Sequence, residues 1–298
     1  MKSKQLLFSI AFTALTASVL FMACSKSNSV GGTAPTASQQ SVSLYLADGP
    51  GIYNHVYLDV KSITVLVDTS ANTRDHDRCN WDSIGQRRNK PDSSLIWENL
   101  NFNAGVYDLL QLRNGIDTLL STTNVIKGTV RMIRIDLGTN NSVVVDSVSH
   151  PLLFPPNAPS YFLVKLNGEE WEHYASNASR LWIDFDVARS IIFLNNAYYL
   201  APFFHTFVPT KSGAITGHIE PQAAFPELVT VYSATDTAYA LPNPSGNFMV
   251  RGLKNGTYSA LIHSLRTNSS GNLFNDTTIN NIVIQNANTV SLGNITLH

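Results

Sequence analysis

Residues 181–187 read Leu181-Trp182-Ile183-Asp184-Phe185-Asp186-Val187. Leu181, Ile183, Phe185 and Val187 are apolar, and between them stand one aromatic and two acids. A repeat of two belongs to a β-strand, whose side chains leave the backbone on alternate sides. One row is set to face a core. The other row, Trp182, Asp184 and Asp186, is set to face away from it, with neighbours ~7 Å apart.

The alternation recurs upstream. Val42, Leu44 and Leu46 alternate with Ser43 and Tyr45, and Asp48-Gly49-Pro50-Gly51 follows as a turn, because Gly supplies positive φ and Pro fixes its own. Val56, Leu58 and Val60 then alternate, and the phase slips by one to Ile63, Val65 and Val67. A slip inside one strand is what a β-bulge produces. The two runs together read as a hairpin-like pair. Val106 to Leu112 reads as a strand, Asn114-Gly115 as a hairpin turn, and Ile116 to Leu120 as the returning strand. Val130 to Leu137 places Ile133, Ile135 and Leu137 on one face, and Asn140-Asn141 turns the chain into Val143-Val144-Val145. After a Pro-rich loop at 151–159, Tyr161 to Leu166 resumes the pattern. Glu169 to His173 is compatible with a helical turn, and Tyr198 to Val208 reads as one aromatic-rich strand.

Pro209-Thr210-Lys211-Ser212-Gly213 interrupts this series, and a denser one begins. Its apolar runs are Ile215 and Ile219, Val229 and Val231, Phe248 and Val250, Tyr258 to Ile262, Ile282 and Ile284, and Leu292 to Leu297. Turn residues separate them at the spacing of a small sandwich. Gly246 and Gly256 stand where a tight turn must enter a strand. The chain thus reads as all-β: two β-sandwich domains over 41–208 and 212–298.

The first 40 residues differ in kind. Lys2 and Lys4 precede an uncharged apolar run from Leu6 to Met22, with the small residue Ala23 and then Cys24. Charge, apolar helix and small residue in that order make a cleavable secretory signal, residues 1–23. The junction resembles a bacterial lipoprotein signal, with Phe21 standing where Leu is usual. The resemblance implies diacylation of Cys24 and anchorage to the outer membrane, with the face left open because no acidic pair follows the Cys. Ser25 to Gln40 (SKSNSVGGTAPTASQQ) has nothing to bury, so 24–40 reads as lipidated Cys and flexible tether.

Cleavage would remove Lys2 and Lys4 and no acid, leaving 18 basic against 21 acidic side chains, a net charge of −3. Such a balance offers nucleic acid no basic patch. With Cys24 lipidated, Cys79 is the remaining thiol and cannot make an internal disulfide, so stability must come from the core. Asp68 to Ser94 is polar and aperiodic, and within it Asp75-His76-Asp77-Arg78-Cys79 crowds potential metal ligands. A structural metal needs a second ligand cluster at matching spacing, which is missing, so a solvated loop is the reading and no metal is assigned.

Leu181 to Ile191, followed by Tyr199-Leu200-Ala201-Pro202, resembles the closing motif of an uncharacterised lipoprotein family, domain of unknown function 4382. Leu46-Ala47-Asp48-Gly49-Pro50-Gly51 is similar to that family's first turn, and Tyr107-Asp108-Leu109-Leu110, Asn114-Gly115 and Arg131 to Ile135 fit its middle. The likeness spans about 41–208 and implies an extracytoplasmic β domain without assigned activity, in which 68–94 stands as an insertion. Gly213 to Ile219, Ser245 to Phe248, Gly252 to Tyr258 and Val290 to Leu297 resemble the transthyretin-like regulatory domain of carboxypeptidases. That likeness implies a module that accompanies another domain and does no chemistry.

No G-x-S-x-G, phosphate loop or H-E-x-x-H occurs, and eight His are scattered singly. The reading is therefore non-catalytic and without cofactor: a binding or structural module of the cell envelope. Its partners are the membrane, through Cys24, and a glycan or an envelope protein. The candidate site is the row Trp182, Asp184 and Asp186. An aromatic plate beside carboxylates suits a sugar, through stacking and charge-assisted hydrogen bonds, and two Asp also suit Ca²⁺. The structural alternative, which the sequence favours, has an Asp capping a turn or pairing with Arg189 while Trp182 covers a neighbouring strand. A carbohydrate-binding accessory protein is one rival. An enzyme of unrecognised type is another, and a deep pocket holding an acid/base pair would favour it.

Overall fold

The computed structural model describes residues 34–48, 53–70, 94–166 and 170–298. The signal, Cys24, most of the tether, the Gly49–Gly51 turn and the Asp75–Cys79 cluster lie outside the described residues. The chain opens with β1 (Gln39–Asp48), β2 (His55–Asp68), β3 (Leu95–Asn99) and β4 (Gly105–Asp108). A 3-10 turn over Leu109–Leu112 leads to β5 (Thr118–Ile126), β6 (Thr129–Leu137), β7 (Ser142–Val145), β8 (Val148–Leu153) and β9 (Tyr161–Lys165). Then come β10 (Glu172–Ala175), β11 (Ala178–Phe185), the single helical turn α1 (Val187–Ser190), β12 (Ile191–Leu194), β13 (Ala197–Leu200) and β14 (Phe204–Phe207).

These strands make two sheets. One runs β10-β11-β1-β5, with β14 also paired to β11; the other runs β12-β13-β8-β7-β2-β6-β9, with β3 and β4 also on β2. The apolar rows meet between them: Leu44 and Leu46 of β1 and Ile183 and Phe185 of β11 pack in one cluster with Val56 and Ile63 of β2 and Ile133 of β6. Each such buried side chain contributes ~1.5–3 kcal/mol relative to exposure. The phase slip in β2 is present, since Val60 and Ile63 are buried on either side of exposed Lys61. The ladder to β6 shifts register between Val60 and Ser62. That is the bulge the sequence demands.

Pairing departs from the reading in several places. β1 is not a hairpin partner of β2: it lies parallel to β11 and antiparallel to β5, across the core from β2. Alternation says which side of a strand is buried, and both sheets of a sandwich offer the same choice. Asn114 and Gly115 do adopt the positive φ of a turn, at 55° and 89°. The strands flanking them nevertheless join opposite sheets, β4 on β2 and β5 on β1. Tyr198 to Val208 is not one strand but two, β13 and β14, again in opposite sheets; Pro202 between them has no N–H for a ladder. Glu172–Ala175 is extended where a helical turn was compatible, because it pairs with β11. Strand β11 ends at Phe185, so Val187 and Asp186 belong to α1 and its cap rather than to the strand.

The second series comprises β15 (Gly213–Glu220), β16 (Glu227–Tyr232), β17 (Thr237–Ala240), β18 (Asn247–Leu253), β19 (Gly256–Ser264), β20 (Thr277–Ile284) and β21 (Thr289–Thr296). A sheet β18-β15-β21 faces a sheet β17-β16-β19-β20. Ile215, Ile219, Val229, Val231, Phe248, Ile262 and Ile284 fill the space between as a cluster separate from the first. Gly246 has φ 81°, and an added Cβ would run into the Ile219 carbonyl. Gly256 has neither positive φ nor a crowded Cβ position, so its turn does not require glycine. Both sandwiches belong to one compact unit, Thr33–His298. At their junction Ser212 donates from its N–H and its Oγ to the Val208 carbonyl, at 3.0 and 2.8 Å.

Candidate functional site

The outward row of β11 does not meet solvent alone. Register aligns it with β1 on one side and β14 on the other. One rung is Tyr45, Trp182 and Phe207; the next is Ala47, Asp184 and His205. Both rungs lie on the face that the second sandwich covers. Met249 N–H donates to Asn114 Oδ1 at 3.3 Å, Asn114 Nδ2 to the Leu241 carbonyl at 3.2 Å, and Arg251 Nη1 to Asp117 Oδ2 at 3.0 Å.

In the first rung Phe207 reaches the cleft, while Tyr45 and Trp182 close on each other. Trp182 is 7% exposed, stacks on Tyr45 with ring centroids 4.8 Å apart, and donates from Nε1 to Asp117 at 3.2 Å. The Arg180 guanidinium sits 5.2 Å from the ring centroid. Trp182 therefore presents no free plate for a sugar. Asp186 is also engaged. Its Oδ1 accepts from the Arg189 N–H at 3.0 Å, capping α1, and its Oδ2 accepts from Arg189 Nε at 2.7 Å. The cap and ion pair foreseen as the structural alternative are thus both present.

The second rung opens into a cleft of about 440 Å³ between the sandwiches. Asp184, Asp48, Asp186 and Asp236 line it together with His205, Arg189 and Arg251. Asp48 ends β1 in the same inward row as Leu44 and Leu46, and is 8% exposed. Neither of its carboxyl oxygens has a hydrogen-bond partner, and Oδ1 of Asp184 also lacks one and is shut off from solvent. Burial, and next the Asp184 charge, pushes the Asp48 carboxyl well above the usual carboxylate range. Burial, and next Asp186, pushes Asp184 up to about 7, against the opposing pull of Arg251 and Arg189. Burial pushes His205 down, so it stands neutral beside them.

The two guanidiniums offset the burial of Asp184 only in part. Arg189 is held by Asp186 and lies 4.3 Å from the Phe203 ring centroid; Arg251 is held by Asp117 and lies 5.4 Å from that of Phe207. Among the described residues no group of three or more His, Cys, Asp or Glu side chains is placed to hold a metal ion. Of the row read from sequence, Asp184 and Asp186 reach the cleft and Trp182 does not. Asp48, His205 and Arg251 were missed. For Asp48 a signal existed: position 48 continues the inward row 42, 44, 46, where an acid is out of place.

A family model described as a domain of unknown function (DUF4382) matches residues 39–202, more than half of the 298-residue chain. The chain belongs to this family. The match covers β1 through β13, and so holds Asp48, Asp184 and Asp186, while the opposite wall of the cleft lies beyond it. Among curated proteins nothing matches the chain.

Solved structures with some likeness include the shaft pilin SpaA from Lactobacillus rhamnosus GG, at 11% identity over 88% of this chain and 97% of that one, TM-score 0.26. The minor pilin GBS52 from Streptococcus agalactiae matches at 12% identity over 86% and 94%, TM-score 0.20. A chain of a type II cohesin–X-dockerin complex from Acetivibrio cellulolyticus matches at 18% identity over 28% of this chain and 56% of its own, TM-score 0.22. At TM-scores this low none of them bears on topology or function here. No helix among the described residues is long and apolar enough to cross a membrane.

Proposed function

We propose that this chain is a lipid-anchored envelope protein that acts by binding, and that the cleft between its sandwiches is the binding site. Cys24 carries the anchor in this reading, 24–40 is the tether, and 212–298 is a regulatory-like module whose job is to complete the cleft. The observation that carries the reading is buried Asp48, with neither carboxyl oxygen hydrogen-bonded, beside half-buried Asp184, whose Oδ1 also lacks a partner, on the wall of the cleft. Uncompensated buried carboxyls destabilise a fold, and sites of ligand recognition are where such groups are retained.

Ala234 is exposed at the cleft mouth, so Ala234→Trp would plug it without touching either core. Wild type and this variant, melted against a glycan array and envelope components, should share a melting curve and differ in ligand stabilisation. A ligand that stabilises both equally would place binding elsewhere and overturn the reading.

One observation favours a second reading, an enzyme of unrecognised type. A carboxyl whose pKa is about 7 is poised as a general acid at neutral pH. Turnover of any envelope glycan or peptide that is lost in Asp184→Asn would establish it. The carbohydrate reading through Trp182 has lost its stacking surface to Tyr45.

A further inference from the structure

We propose that the cleft takes a small organic cation, with a primary ammonium group seated against Asp48 and Asp184. This rests on the reading of the cleft as a binding site and names the ligand's chemistry. Three acceptor atoms stand without donors: Oδ1 and Oδ2 of Asp48 and Oδ1 of Asp184. An ammonium group brings three donors and the missing positive charge at once. The guanidiniums lining the cleft are committed elsewhere, Arg189 to Asp186 and Arg251 to Asp117, while Arg113, which draws the Asp48 carboxyl down against its burial, donates to the Leu110 carbonyl. Four Asp carboxyls therefore line the cleft against two guanidiniums, beside a neutral His205.

The size and composition of the cleft select an organic cation over a metal ion. No third carboxylate, His or Cys joins the pair at metal-holding distance among the described residues. A hard divalent ion asks for 6–8 oxygen ligands in the case of Ca²⁺. A volume of about 440 Å³ leaves room for a carbon skeleton behind the ammonium. The aromatic rings Phe203 and Phe207 already carry the two guanidiniums, so charge pairing rather than ring stacking fixes the ligand.

The test is calorimetric titration of the full chain in detergent with cadaverine and glucosamine, beside their neutral mates 1,5-pentanediol and glucose, and with CaCl₂. Binding of at least one amine, with no heat from its neutral mate, is expected. Asp48→Asn and Asp184→Asn should each weaken that binding by about tenfold or more, the scale of one lost charge-assisted hydrogen bond. Each variant replaces a carboxyl that has an unpartnered oxygen by a neutral amide, so melting curves should show both folded and at least as stable as wild type at pH 8. Equal binding of amine and neutral mate, lost in Asp184→Asn, would overturn the cation and leave the cleft as a binding site. Calcium binding with the same dependence would overturn it in favour of a metal. Silence from every probe would overturn it in favour of a carboxyl pair that shares a proton.

Discussion

Arg251 Nη1 lies 3.0 Å from Asp117 Oδ2, joining β18 of the second sandwich to the segment that leads into β5 of the first. Trp182 Nε1 donates to the same oxygen at 3.2 Å. One carboxylate thus ties the face of β11 to the sandwich that covers it, and the tryptophan proposed from sequence as a binding plate is part of the joint.

Trp182→Ala should therefore act on stability. Removing a large ring that is 7% exposed leaves a cavity against Tyr45, and such truncations cost ~3–5 kcal/mol. Trp182→Phe keeps an aromatic there and gives up the hydrogen bond, for ~1 kcal/mol. Urea melts of the two variants beside wild type check this. A tryptophan whose removal left the melt unchanged would return it to the list of ligand-facing residues.

Asp184 makes stability depend on pH. Its folded pKa, about 7, lies above the ordinary carboxylate value near 4, so the unfolded state gives up its proton first as pH rises. The unfavourable contribution is absent below about pH 4, grows between about pH 4 and 7, and is constant above, reaching roughly 4 kcal/mol. Asp184→Asn should gain most over wild type at pH 8 and little at pH 4. Chemical denaturation of both proteins across that window, without added ligand, measures the difference; a gain independent of pH would mean Asp184 ionises normally.

The two apolar clusters share no residue, and Pro209 to Gly213 separates the two strand series. Residues 212–298 expressed alone should therefore give a cooperative melt with β-type circular dichroism. The fragment loses Arg251's partner Asp117 and should melt below the intact chain. An unfolded fragment would show that the second sandwich depends on the first.

If Cys24 carries the proposed anchor, Cys24→Ala should release the protein from the membrane fraction or stall its processing. Fractionation with N-terminal sequencing reads both. Unchanged retention with a mature N-terminus elsewhere would remove the lipid from the account.

Period-two burial was legible because it is local. Val56 to Val67 wrote its own bulge, and every strand of the second sandwich except β17 showed in the spacing of its apolar residues. The cap at Asp186 was legible for the same reason, since its partner Arg189 lies three residues along the chain. Strand partners were not. Leu44 and Val56 carry the same kind of apolar row, and nothing in either row says which of two facing sheets it joins.

The cleft is the clearest case of what only folding decided. By sequence alone Asp48 was a turn residue, Trp182 either a binding plate or a cover for a neighbouring strand, and Asp184 one acid in a row. Their roles follow from contacts between segments far apart in the chain. β1 lies beside β11 and puts Tyr45 on Trp182, and the second sandwich closes over that face and takes Arg251 to Asp117. Sequence determined that the chain is all-β and which side of most strands is buried, because hydrophobic burial acts residue by residue. Tertiary structure decided which carboxyls lose their water without gaining a partner, because that depends on what covers them.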